Sequence, residues 1–157
     1  MDQYLFGQTL WLSVTGFHNR YSGLIVFGDG YANLDDAAAS GVEAEAQWSP
    51  HERLRLGAAY TYTWSEDRAT GDSLLRRAPH LVSVTAAVRP VAKLNLAAQL
   101  LYKGARTDLD FSSWPSRRVR LDPYALLNLS ATYPLSDELE LFGRVFNLLN
   151  QDLEEIA

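Results

Sequence analysis

One stretch limits what this chain can become. Leu54–Trp64 reads LRLGAAYTYTW. Its even positions are Leu54, Leu56, Ala58, Tyr60, Tyr62 and Trp64, and its odd positions are Arg55, Gly57, Ala59, Thr61 and Thr63. A period of two with one apolar and one small or polar face predicts a β-strand. Its length is about what a tilted strand needs to cross a bilayer, on the order of 9–11 residues.

The pattern repeats. Gln8–Asn19 sets Leu10, Leu12, Val14 and Gly16 against Ser13, Thr15 and Asn19, with Phe17 breaking rank on the polar side. Leu24–Phe27 is a further apolar run, and Gly28-Asp29-Gly30 after it is a turn signal. Gly41–Trp48 alternates Val42, Ala44, Ala46 and Trp48 with Glu43, Glu45 and Gln47. The alanine and glutamate content of 35–47 also suits a helix, but the alternation favours a strand. Leu81–Arg89, Leu94–Lys103, Tyr124–Tyr133 and Leu139–Asn147 follow the same rule.

The connections are patterned as well. Trp48–Leu54, Val88–Leu94 and Tyr133–Leu139 are short, and each holds a proline expected to stop the ladder. The alternate connections, Ser65–Pro79 and Gly104–Pro123, are long and polar. Short turns at one end and long loops at the other describe an up-and-down meander of the outer-membrane type. Aromatics end the apolar faces: Trp48 and Tyr133 near the short turns, Tyr62, Trp64 and Tyr102 toward the long loops. Such rings favour the headgroup level of a bilayer. A soluble β-sheet binding module gives the same alternation, with the apolar side turned into a core.

Composition removes other classes. A net charge of −5 with scattered basic residues argues against a nucleic-acid partner, and the absence of cysteine removes disulfides and thiolate metal sites. No apolar run is long enough for a transmembrane helix, and the first residues lack the n-region of a signal peptide. The chain is thus expected to be cytosolic or a piece of something longer. Gly71-Asp-Ser-Leu74 spells an esterase signature, but the histidine partner that serine needs is missing. His18, His51 and His80 lie in separate segments without metal-ligand spacing, and read as solvated or strand-end residues. Asp108-Leu-Asp110-Phe-Ser112 opens like a calcium loop but lacks its glycine and closing glutamate, so it reads as a solvated loop. Asp35-Asp36 and Glu66-Asp67 read likewise. Asn128-Leu-Ser130 is a glycosylation sequon only in spelling, since it falls inside a strand. Neither enzyme activity nor a cofactor is expected.

Several segments resemble TonB-dependent outer-membrane receptors. Ser40-Gly-Val-Glu-Ala-Glu-Ala-Gln-Trp48, preceded by Asn33-Leu-Asp, resembles a family strand, and Ala59-Tyr-Thr-Tyr-Thr63 the strand after it. Leu74-Leu-Arg-Arg-Ala-Pro-His80 resembles a family loop-to-strand segment. Leu141-Phe-Gly-Arg-Val-Phe-Asn-Leu-Leu-Asn150 and Asp152-Leu-Glu-Glu155 are similar to the signature near the family's C-terminus. Gly104–Pro115 looks most like the vitamin B12 (cobalamin) receptors. Phe146 and Leu149-Asn150 depart from the pattern.

The resemblance implies an all-β fold, an antiparallel up-and-down transmembrane β-barrel segment of about seven strands from a barrel of about 22. Residues 1–157 would be part of that barrel domain, with the plug and the final strand absent. It implies an outer-membrane location with lipid around the barrel, short turns in the periplasm and long loops outside. It also implies energised uptake of a large scarce ligand, cobalamin or alternatively a siderophore, bound through the long loops. TonB would be engaged only through the missing N-terminal part. By position Arg76 and Phe111 match ligand-facing loop residues. Phe111 stands where the receptors have tyrosine, so a hydroxyl contact is lost. The plain reading of both residues is a solvated loop charge and a ring packed within its loop. Lipid cannot satisfy the free edges of so few strands, so the isolated chain is expected to misfold, aggregate or pair with other chains.

Overall fold

The computed structural model describes residues 1–156 apart from Gly28, Asp35 and Ser113. The first residue of the Gly28-Asp29-Gly30 turn and the first of the Asp35-Asp36 pair lie outside the described residues. Eight strands form one antiparallel sheet: β1 (Asp2–Leu5), β2 (Leu10–Tyr21), β5 (Ala37–His51), β6 (Leu54–Asp67), β7 (His80–Val88), β8 (Asn95–Lys103), β11 (Tyr124–Pro134) and β12 (Glu140–Val145), neighbours in that order. Two hairpins stand apart from it, β3 (Leu24–Phe27) with β4 (Tyr31–Leu34), and β9 (Arg106–Asp110) with β10 (Arg117–Leu121). The sheet is open, with β1 and β12 at its edges.

The pairing register turns the strand-by-strand alternation into a two-faced sheet. Leu12, Ala46, Ala58, Val84, Leu100 and Leu127 pair across in one row. Leu10, Trp48, Leu56, Ala86, Ala98, Leu129 and Val145 form the next. On the other face Trp11, Gln47, Gly57, Thr85, Gln99 and Asn128 pair likewise. Asn128 donates to Gln99 at 3.3 Å. A one-residue slip anywhere would exchange the faces.

Among the described residues no element covers the apolar face. Val14, Val42, Val84, Leu129 and Val145 are all exposed, and Leu56 and Leu96 are half-buried. Among the described residues the buried apolar side chains are Ala37, Ala38, Ala39, Ala78 and Leu121, all at the long-loop end. The dry interior that a soluble module requires is absent from this face among the described residues.

The sheet carries about the expected number of strands, eight, because residues 2–5 fold back on β2 as β1, with Leu5 opposite Leu10. Leu24–Phe27 follows β2 as a separate strand and pairs with β4, a strand too short to show a period. Two expectations need correction. The long connection at 104–123 holds the β9–β10 hairpin. Prolines do not stop every ladder: Pro50 lies in a register shift between Trp48 and His51, with His51 still paired to Leu54, and Pro134 pairs with Glu140. A bulge or strand end is where a missing N–H costs least.

Phe17 also has its reason. It lies opposite Gly41, and a Cβ at that glycine would meet the Phe17 ring at 2.5 Å and the Tyr62 carbonyl oxygen at 2.0 Å. The ring occupies the space that the missing side chain leaves. Residues 37–47 are strand rather than helix.

Candidate ligand-facing site at the long-loop end

The buried polar groups gather where the long loops meet. Asp108, on β9, is fully buried and accepts from Arg76 Nε at 2.8 Å and from the Leu109 backbone N–H at 2.8 Å. The Arg76 N–H also donates to the Thr107 carbonyl at 2.7 Å. Arg118, on β10, donates to the Ser73 carbonyl at 2.6 Å and lies 3.4 Å from Asp72. Together they strap the 72–76 segment onto the β9–β10 hairpin. Burying a carboxylate is tolerable only with such donors in place.

The two expected site residues are therefore held by one hairpin. Arg76 has a left-handed backbone, φ 61°, and keeps 53% of its side chain exposed while its Nε is engaged. Phe111 follows β9 directly and is 41% exposed. It lies three positions beyond Asp108, roughly 10 Å along an extended strand. Its ring centroid lies 5.9 Å from that of Phe27, which in turn meets Tyr31 edge-on at 5.2 Å. The Asp29 carboxylate accepts from the Ser116 N–H at 2.9 Å, so the β3–β4 and β9–β10 hairpins are joined twice. Phe27, Tyr31, Phe111 and Trp114 all remain exposed. The hairpin thus presents both an aromatic pad, which can stack a flat ligand, and a half-free guanidinium, which can donate to an anionic group.

Asp108 is buried, not the solvated loop residue expected once the calcium-loop reading was set aside. Asp110 pairs with Arg117 at 3.4 Å, and hydrogen bonds from Ser112 hold its carboxyl below the usual range. Among the described residues no group of three histidine or acidic side chains could hold a metal. Asp36 bonds Arg20 at 3.0 Å and lies 3.8 Å from Arg68, so it is ion-paired rather than merely solvated. Asp67 caps the Ala69 N–H at 2.9 Å. The histidines are strand residues: His18 bonds Ser40 and His80 bonds Tyr60, each at 2.8 Å.

Sequence reasoning missed a second cluster. Arg106 is buried, 3% exposed, and its guanidinium lies 5.8 Å above the Tyr124 ring. It donates through Nη2 to the Glu154 carbonyl and lies 3.4 Å from the Glu155 carboxylate, while Nη1 is buried without a hydrogen-bond partner among the described residues. Lys103 donates to Glu155 at 2.6 Å, and the Tyr124 hydroxyl donates to the same carboxylate. The alternation of Arg106 and Asp108 two residues apart was the available signal.

A family model described as TonB dependent receptor-like, beta-barrel, matches residues 2–148. Solved structures share the fold. A variant of the ferric enterobactin receptor of Pseudomonas aeruginosa is 23% identical, with a TM-score of 0.72 over 91% of this chain. The ferric-catecholate import receptor of E. coli is 14% identical, with a TM-score of 0.79 over 99%. The ferripyoverdine receptor of the P. aeruginosa outer membrane is 18% identical, with a TM-score of 0.76 over 96%. The chain spans only 24%, 23% and 22% of those three receptors.

Proposed function

Because this chain belongs to the TonB-dependent receptor β-barrel family, we propose that it builds part of the wall and outer loops of a receptor importing an iron–siderophore type of ligand across the outer membrane. The exposed Phe27, Tyr31 and Phe111 cluster, packed on the same β9–β10 hairpin that holds Arg76, carries the reading. A ferric catecholate presents flat rings and net negative charge, and the cluster offers ring faces and the hairpin a half-free guanidinium. Neighbours that are a ferric-catecholate import receptor and a ferripyoverdine receptor support this choice over cobalamin. Cobalamin is the second reading, favoured by the likeness of Gly104–Pro115 to its receptors. The uncovered apolar face meets lipid in this reading, and the polar face lines the lumen.

The test places this segment in a complete receptor of the family and measures ferric-catecholate and cobalamin binding in competition. Arg76→Ala and Phe111→Ala should each weaken the ferric complex by roughly tenfold, the scale of one lost charge-assisted or stacking contact. Glu52→Ala, an exposed side chain at the short-turn end, serves as control and should leave the affinity unchanged. Unchanged affinity in both Arg76→Ala and Phe111→Ala would refute the assignment. Displacement by cobalamin alone would replace the siderophore reading with the second one.

A further inference from the structure

The polar face is not polar throughout. Leu81, Lys103 and Tyr124 pair in one row, and Ser83, Leu101 and Leu126 in the next. Leu81, Leu101 and Leu126 are leucines on the face that elsewhere carries Thr85, Gln99 and Asn128. They floor an open hollow of about 300 Å³, with Lys103 and Tyr124 at its rim. That is the lower end of the size range of small-ligand sites, roughly 300–1,000 Å³. Beside the rim stands Arg106, desolvated and with Nη1 unpartnered among the described residues.

We propose that this hollow is a binding site for an amphipathic anion, an aromatic or alicyclic body carrying a carboxylate or phenolate. Leu81, Leu101 and Leu126 take the body, and Lys103, Arg106 and Tyr124 take the charge. The chain already displays the chemistry. The anion at the rim in this structure is the carboxylate of Glu155, half-exposed and carried on the coil beyond β12 rather than on a strand. A buried guanidinium needs an anion nearby, and an external one can compete with a half-exposed internal one carried outside any strand. Within the receptor reading, on which its role in transport rests, the site lies on the lumen side of the wall, between the loop cluster and the polar rows. A ligand fragment with an acidic edge would meet it after leaving the outer loops.

The probe is 2-naphthoate, titrated calorimetrically against a complete receptor of the family carrying this segment, in dodecylmaltoside, with empty micelles as blank and 2-naphthamide as the uncharged isostere. Naphthoate should bind saturably and at least tenfold more tightly than the amide, because only it offers an anion to the cations. Lys103→Met should cost about tenfold. Glu155→Gln should tighten binding severalfold by weakening the internal competitor, and this gain cannot arise from misfolding. Equal binding of acid and amide, or no gain in Glu155→Gln, would overturn the site. Loss of naphthoate binding with ferric-catecholate binding kept would remove this site alone. Naphthoate binding kept with ferric-catecholate binding absent would remove the receptor reading alone.

Discussion

Arginine placed on opposite faces of β7 should report what each face meets. Val84 pairs with Ala58 and is 40% exposed, while Thr85 is its neighbour on the other face. Ala58 lies six residues before Trp64 and four after Leu54. At about 3.3 Å per residue and a 45° tilt, that is roughly 14 Å of depth below the aromatic end and 9 Å above the turn. The sum is close to the apolar band of about 25 Å on such barrels. Val84 therefore sits near mid-depth, and Val84→Arg should cost about 3 kcal/mol, a shift of roughly 10² in the folding equilibrium. Val88→Arg, on the same face but opposite Leu54 at the turn end, should cost no more than about 1 kcal/mol. Thr85→Arg should stay within about 0.5 kcal/mol. The assay is urea titration of the chain in thin phosphatidylcholine vesicles, where whatever strands its edges recruit enter all three variants equally. A dry protein core would penalise Val84 and remove the dependence on depth and lipid thickness. If Thr85→Arg costs as much as Val84→Arg, the assignment of faces fails.

Further outcomes follow from local geometry. Gly41→Ala should destabilise by about 2 kcal/mol or more, since its Cβ meets backbone oxygen and the Phe17 ring. Gly143→Ala, with open space around it, should be close to neutral, and the same urea titration compares them. Lys103 above all, then Tyr124, holds the Glu155 carboxyl below its ordinary value of 4.5. A depressed folded pKa adds stability above the ordinary value, and that contribution is lost as pH falls through the folded value. Protease resistance of 147–156 should therefore persist at pH 5 and fade only in stronger acid. Resistance in Glu155→Gln should be weaker at neutral pH and flat across the range.

What the sequence disclosed was what repeats locally. β5 to β8, β11 and β12 carry their alternation within themselves, and the short turns set their order. β1 has no such period, because Asp2–Leu5 is short and gains its place from pairing with β2. The β3–β4 and β9–β10 hairpins are fixed by contacts distant in sequence, Asp29 with Ser116 and Phe27 with Phe111. The strap from Arg118 to Ser73 is likewise non-local. A polar loop gives no sign of such partners. Arg76 looked like a solvated charge or a ligand contact, and only the fold reveals the buried Asp108 beneath it. Leu81, Leu101 and Leu126 were hidden because they interrupt the polar side, where a period-two reading attends to the apolar one.

The chain has no cysteine, so single cysteines along Leu54–Trp64 can each carry a spin label without interference. In vesicles, collision with oxygen should peak at the even positions and collision with an aqueous nickel chelate at the odd ones, with the oxygen maximum near Ala58 and Tyr60. Oxygen maxima at the odd positions, or no period of two at all, would contradict a wall whose apolar side looks outward into lipid.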